Sequence, residues 1–216
     1  EFSENRKDVL DKIESKLGYP VIIKPANLGS SIGISKVSDR TALEEKITLA
    51  CSFAPRILAE KAIVNLREIN CSVLGDGSSC KASAWGEPVM NDEILSFSDK
   101  YESNSSSKGM ASLSRIIPAK IPEGKTKEIQ DISERLFKYL DCCGVVRIDF
   151  IIDESDGGKV YINEINTIPG SLAFYLWKES GIEYKELLDK MISLGQKRDR
   201  DRKNLTFTYD TNILEK

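Results

Sequence analysis

Val146-Arg147-Ile148-Asp149-Phe150 and Ile162-Asn163-Glu164-Ile165-Asn166-Thr167 are two short strand-like runs. Glu154-Ser155-Asp156-Gly157-Gly158 between them is turn-forming, so the pair predicts a β-hairpin. Side chains alternate across a strand. Arg147 and Asp149 therefore share one face of the first strand, and Glu164 and Asn166 share one face of the second. The other face carries Val146, Ile148, Phe150 and the Ile162 or Ile165 neighbours, which suit a core. Two carboxylates, an amide oxygen and a guanidinium converge on one patch. Hard oxygen ligands with spare coordination positions suit Mg²⁺ shared with substrate phosphates. Ile168-Pro169-Gly170-Ser171 follows as a tight turn with backbone N–H groups able to face the same patch. Taken alone, the segment also reads as a solvated two-stranded ribbon.

Helical and strand-like runs alternate outward from this hairpin. Val9, Leu10, Ile13 and Leu17 make a helical stripe over residues 4 to 17, closed by Gly18. Tyr19-Pro20-Val21-Ile22-Ile23-Lys24-Pro25 is a short strand. Ser38-Asp39 starts a second helix through Leu43, Ile47, Ala50 and Ala54. Arg56 to Glu60 reads as a strand, and Arg67 to Trp85 as a hairpin about Gly75-Asp76-Gly77. The polar stretch from Glu87 to Lys108 predicts a mobile loop. Ser114 to Ala119 resumes as a strand, and Glu123 to Leu140 is a strongly amphipathic helix. Leu172 to Ser180 and Tyr184 to Leu194 read as closing helices. The expected class is α+β, divided near Glu60–Leu66 into residues 1–59 and 60–216.

Composition narrows the function. The 216 residues carry a net charge of −3 and no dominant basic stripe, which argues against a general nucleic-acid binder. No apolar run is long enough to span a membrane. With no His, Ser-His and Cys-His catalysis are excluded and a zinc site is disfavoured. The odd set of Cys51, Cys71, Cys80, Cys142 and Cys143 suits reduced thiols and a cytoplasmic location. Gln196 to Lys203 is a dense charged run, read as a solvated helix end and linker.

Lys24-Pro25-Ala26-Asn27-Leu28-Gly29-Ser30-Ser31-Ile32-Gly33 joins two strands. Its glycines allow close backbone approach, Ser30 and Ser31 add donors, and Lys24 supplies a point charge suited to phosphate. It is not a P-loop, because the Gly-Lys-Ser/Thr ending is missing. Alone it is an ordinary turn. With the acidic patch far along the chain it offers the cationic half of a Mg-nucleotide site.

In order along the chain, Pro-Val-Ile-Ile-Lys-Pro with Gly-Ser-Ser-Ile-Gly, Arg67-Glu68, Lys100-Tyr101, Arg147-Ile148-Asp149 and Asn163-Glu164-Ile165-Asn166-Thr167-Ile168-Pro169-Gly170 resemble the ATP-grasp superfamily, specifically the D-alanine–D-alanine ligases. The resemblance implies two α+β subdomains, of antiparallel sheets and packed helices, around a nucleotide cleft. Residues 1–59 would be part of the central subdomain and 60–216 the C-terminal one. It implies ATP phosphate on Lys24 and Ser31, and adenine and ribose on Glu60, the Ile63 backbone and Glu68. Two Mg²⁺ (or Mn²⁺) would lie on Asp149, Glu164 and Asn166. Lys100 would reach the transferred phosphate from the polar loop acting as a lid, and Arg147 and the Gly170 N–H would stabilise an oxyanion. Ser30 and Tyr101 would order the site around the first substrate. The implied chemistry is an ATP-dependent carboxylate–amine ligation of two D-alanines through an acyl phosphate, for peptidoglycan, with a homodimer in full-length enzymes.

Two features depart from the family. Only about eighteen residues precede Pro20, so the N-terminal domain and an early ATP-binding lysine are expected to be absent and the chain to be an inactive C-terminal piece. Ser171-Leu172-Ala173-Phe174-Tyr175-Leu176 is more apolar than the hydroxyl-bearing stretch of the family, leaving Tyr175 as a replacement, a different second substrate, or ordinary core. Two other functions stay open: a related ligase with another amino- or hydroxy-acid nucleophile, and a non-catalytic nucleotide-binding module.

Overall fold

The structure, a computed structural model, describes residues 2–29, 31–89 and 115–206. Ser30, Lys100, Tyr101 and the expected lid from residue 90 onward lie outside the described residues, while Glu87 and Pro88, read as the start of that loop, belong to a strand paired with Ile116 and Arg115. The chain divides into two compact units, one running to Leu66 and the other taking Arg67–Val89 with residues 115–206.

The first unit contains α1 (Arg6–Leu17), β1 (Val21–Pro25), β2 (Ser35–Val37), α2 (Arg40–Phe53) and β3 (Ile57–Lys61). Asp39 caps α2 by accepting the Ala42 N–H at 2.9 Å. The sheet runs in the order β2-β1-β3 with antiparallel pairs. Alternation along β1 buries Val21 and Ile23 against Leu10, Leu43, Ile47 and Ala50 of the two helices. Ile22 and Lys24 are left on the opposite face. The expected division at residue 60 falls inside β3, where Glu60 and Lys61 pair with Ile22 and Val21.

The second unit contains β4 (Leu66–Gly75), β5 (Cys80–Pro88), β6 (Arg115–Ile116), α3 (Glu123–Tyr139), β7 (Gly144–Asp153), β8 (Lys159–Asn166), α4 (Phe174–Glu179) and α5 (Tyr184–Lys203). Its sheet order is β6-β5-β4-β7-β8. Strand β7 is therefore interior, with both faces covered. Val146, Ile148, Phe150 and Ile152 meet Ile129 and Phe137 of α3 in one core. Val145 lies on the other side with Leu74, Trp177 and Leu187. This corrects the solvated-ribbon alternative: Arg147 and Asp149 sit on the second face at only 8% and 3% exposure. The hairpin pairs Arg147 with Asn166 and Asp149 with Glu164, as the alternation required. A bulge then pairs Phe150 with Ile162, leaving Asn163 as the extra residue.

Two helix boundaries differ from the sequence expectation. Residues 170–173 form a tight turn, and α4 begins only at Phe174. Helix α5 runs on to Lys203 through the charged stretch read as helix end and linker. The reason is local pairing one turn apart, as in Lys203–Asp199 at 2.7 Å and Lys190–Glu186 at 3.3 Å. Among the described residues no helix is long and apolar enough to cross a membrane. All five cysteines are free thiols.

Candidate active site

The site in the second unit is built on the paired strands β7 and β8, with a contribution from β4. Arg147 donates from Nε to Asp149 Oδ1 and from Nη2 to Asp149 Oδ2, both at 2.7 Å. Such a planar fork is the strongest geometry available to a carboxylate. Asn70 Nδ2 donates to Asp149 Oδ1 at 2.8 Å, and Asn166 Nδ2 to Oδ2 at 2.9 Å. Each oxygen of Asp149 thus accepts two hydrogen bonds. Burial opposes the Arg147 charge, but the Asp149 carboxylate outweighs it and holds the guanidinium above its ordinary range.

Glu164 and Glu68 extend the cluster at its edges. Asn166 Nδ2 reaches Glu164 Oε1 at 3.3 Å, and Asn70 Nδ2 reaches Glu68 Oε1 at 3.4 Å. Glu164 itself is exposed, on an edge strand. Arg147, Asp149, Glu164 and Asn166 are therefore brought together, with Glu68 joined through Asn70. Sequence reasoning missed Asn70. Its spacing two residues after Glu68 on one strand, which places both on one face, was the available signal.

The Gly170 turn has an unusual backbone. Leu172 N–H closes it on the Pro169 carbonyl at 2.9 Å. Ser171, Leu172 and Ala173 then lie in the left-handed region at φ of 54°, 55° and 51°. This conformation costs an L-residue about 1–2 kcal/mol. Packing compensates, because Ala173, Leu176 and Trp177 are fully buried. Leu172 and Phe174 are packed against the core that holds Trp177, and the Tyr175 ring meets Phe174 edge-on with centroids 6.1 Å apart. The Arg115 guanidinium lies 4.2 Å from the Tyr175 ring centroid. Tyr175 Oη is buried and makes no hydrogen bond.

In the first unit, Lys24 Nζ lies 2.7 Å from Glu60 Oε2. The two expected nucleotide contacts thus hold each other across β1 and β3. Ser31 follows in the loop at φ 61°. Gly33 has φ of 74°, and a Cβ there would meet Pro25 Cγ at 2.9 Å, so the turn requires glycine. Ile63 lies just past β3, half-buried.

Among the described residues no group of three or more His, Cys, Asp or Glu is arranged to hold a metal. The donor set nevertheless fits a hard divalent ion. Asp149 and Glu164 are directly opposite across β7 and β8, a separation of about 5 Å between Cβ atoms. Asn166 Oδ1 takes no part in the bonds above and adds a third oxygen, so all three donors are of the class that binds Mg²⁺.

Residues 1–193 match the protein family described as D-ala D-ala ligase C-terminus. This chain belongs to that family. It is 42% identical over 213 residues to the D-alanine–D-alanine ligase of Thermosipho melanesiensis, an alignment covering 99% of this chain and 56% of that protein. The structure of the D-alanine–D-alanine ligase from Coxiella burnetii superposes with a TM-score of 0.74 at 28% identity, over 91% of this chain and 50% of that one. The D-Ala:D-Ser ligase from Enterococcus faecalis gives a TM-score of 0.72 at 29% identity, over 88% of this chain and 54% of that one. The ligase C-terminal family thus accounts for the α+β fold with its antiparallel sheets, the ATP-grasp portion of these enzymes. The chain spans about half the length of the curated relatives it matches.

Proposed function

We propose that this chain supplies the ATP- and metal-binding part of an ATP-dependent ligase that joins two D-alanines for peptidoglycan. The observation that carries this is the cross-strand set of Asp149 opposite Glu164 and Arg147 opposite Asn166, in a chain of the D-alanine–D-alanine ligase family. In the reaction, the carboxylate of one D-alanine attacks the γ-phosphorus of ATP and ADP leaves. The amine of the second D-alanine then attacks the acyl phosphate carbon, phosphate leaves, and a proton is released from the amine.

Asp149, Glu164 and Asn166 are the residues to hold magnesium, as two ions. Bound there, the metal supplies neutralisation of the phosphate charge, the main requirement of phosphoryl transfer. Lys24 and Ser31 serve the phosphates, and Glu60, Ile63 and Glu68 the adenine and ribose. Arg147, with the Gly170 N–H, meets the oxyanion that grows as the amine attacks; a fixed charge-bearing donor there lowers the barrier.

Phosphate release from ATP that depends on D-alanine tests the proposal, in a protein of the relatives' full length carrying this sequence. Release without D-alanine, or none, would overturn it. A second reading, with another amino or hydroxy acid as nucleophile, rests on the unpartnered Tyr175 hydroxyl. Competition between D-alanine and D-serine in the same assay separates the two.

A further inference from the structure

Cys142 and Cys143 lie in the connection between α3 and β7 and take no part in the site above. Adjacent residues of a strand point to opposite faces. This pair precedes the strand and is bracketed by positive φ, 50° at Asp141 and 91° at Gly144. The Cys142 N–H closes the end of α3 on the Phe137 carbonyl at 3.0 Å. Both cysteines are half-buried free thiols, and both line one cavity of about 440 Å³. Another wall of that cavity comes from α5 and the residues after it. Lys197 and Arg198 make it cationic, while Leu194 and Leu205 add apolar surface that accommodates an organic group. Lys197 is fixed by Asp76 of the β4–β5 hairpin at 2.7 Å.

Geometry restricts what two such thiols can take. Their Cα atoms, joined by a trans peptide, are about 3.8 Å apart. A disulfide spans roughly 4.4–6.8 Å between Cα atoms, so direct closure strains the backbone. A single larger atom between the sulfurs relaxes that constraint. Structural zinc needs about four donors. Among the described residues the pair has no third His, Cys, Asp or Glu placed to complete a metal site. A soft centre satisfied by two protein sulfurs remains. Protonation points the same way. Burial, with Asp141, pushes the Cys142 thiol above its ordinary range against the opposing charge of Arg198. Alkylation and disulfide exchange start from a thiolate. Condensation with a trivalent arsenic oxide instead consumes two thiols. Two As–S bonds form, the As–O double bond breaks, and the oxygen leaves as water with both thiol protons. Arsenic stays trivalent, so no oxidant or reductant is needed.

We propose that Cys142 and Cys143 form a dithiol site for trivalent organoarsenicals in the cavity between the α3–β7 connection and α5. The site is independent of the ligase reading, since neither thiol belongs to the proposed nucleotide or metal residues. The other thiols are placed differently. Cys51 is exposed in the first unit, and Cys71 is sealed in the core of the second. Cys80 packs against the same core as Cys142 and is the competing partner.

Phenylarsine oxide is the probe, applied to the full 216-residue chain. Excess 2-mercaptoethanol discharges adducts on single thiols, and intact-mass spectrometry reads what remains. The natural sequence is expected to keep a single phenylarsenic group and to release it to 2,3-dimercaptopropanol. Iodoacetamide followed by peptide mapping is expected to find Cys142 and Cys143 protected and Cys51 alkylated, a readout that needs no variant. Cys142→Ser and Cys143→Ser, checked for folding by circular dichroism, are each expected to lose the adduct. Cys80→Ser is expected to keep it. Retention in either of the first two variants overturns the inference, as does loss in Cys80→Ser, which would pair Cys80 with one of them. Alkylation of Cys142 and Cys143 in the treated natural chain, or no adduct on that chain, overturns it as well. None of these outcomes bears on the ligase reading.

Discussion

Trp177 Nε1 donates to Ser72 Oγ at 3.0 Å, and Ser72 Oγ donates to the Val146 carbonyl at 2.7 Å. This buried relay fastens α4 to the sheet one residue from Arg147. Ser72→Ala leaves both a ring N–H and a carbonyl without their partner. It is expected to destabilise the second unit by about 1–3 kcal/mol, measured by urea denaturation. Trp177→Phe is expected to fall in the same range, since it strips the donor and leaves a gap in the core. An unchanged midpoint in both would show that water replaces the relay.

The Lys24–Glu60 pair behaves differently, because Glu60 is nearly half exposed. An ion pair of that kind contributes less than about 1 kcal/mol. Lys24→Met is therefore expected to leave the melting temperature almost unchanged. Under the proposed function the same variant lowers ATP affinity by at least about tenfold, or roughly 1.4 kcal/mol. Calorimetric titration of ATP with Mg²⁺ measures this, and equal affinity would remove Lys24 from the nucleotide site.

Glu164 separates metal binding from folding more cleanly still, being exposed on an edge strand. ATP with Mg²⁺ at about a hundred times its dissociation constant adds roughly 2.7 kcal/mol, a rise of about 5–10 °C for a chain of this size. Glu164→Gln is expected to melt normally without ligand and to lose the Mg²⁺-dependent part of that rise. A full rise in the variant would place the metal elsewhere.

Cys71 gives a pH dependence outside the site. Burial raises its thiol from 9.0 to about 11, so the fold favours the neutral form. The stabilisation is complete below pH 9 and is lost as pH rises toward 11. Over that window it amounts to a loss on the order of 2 kcal/mol. Denaturation midpoints between pH 8.5 and 10.5 are expected to fall less steeply in Cys71→Ala. Parallel slopes would assign the fall to other groups.

Much of this architecture is written locally. The alternation in residues 146–150 and 162–166 determines which side chains share a face, and opposing register follows once the turn is recognised. The same residues do not tell that β7 is interior, since that depends on β4 and two helices distant in sequence. Hence Arg147 and Asp149 were legible as neighbours, while their burial and mutual pairing were not. Asn70 was hidden for the same reason, lying 79 residues from the carboxylate it contacts. The left-handed turn at 171–173 was illegible for another. Serine, leucine and alanine carry no signal for positive φ, and tertiary packing imposes it. The length of α5 was underestimated because its last turns have no apolar stripe and rest on charge pairing.

The depth of the Arg147–Asp149 pair shields it from dissolved salt. Surface pairs such as Lys203–Asp199 weaken as dissolved salt screens them, whereas a pair at a few per cent exposure is screened very little. Sodium or potassium chloride raised to high concentration would thin out the ion pairs along α5 and leave the fork intact. Added salt therefore loosens the exposed surface of α5 well before it reaches the buried grip of Arg147 on Asp149.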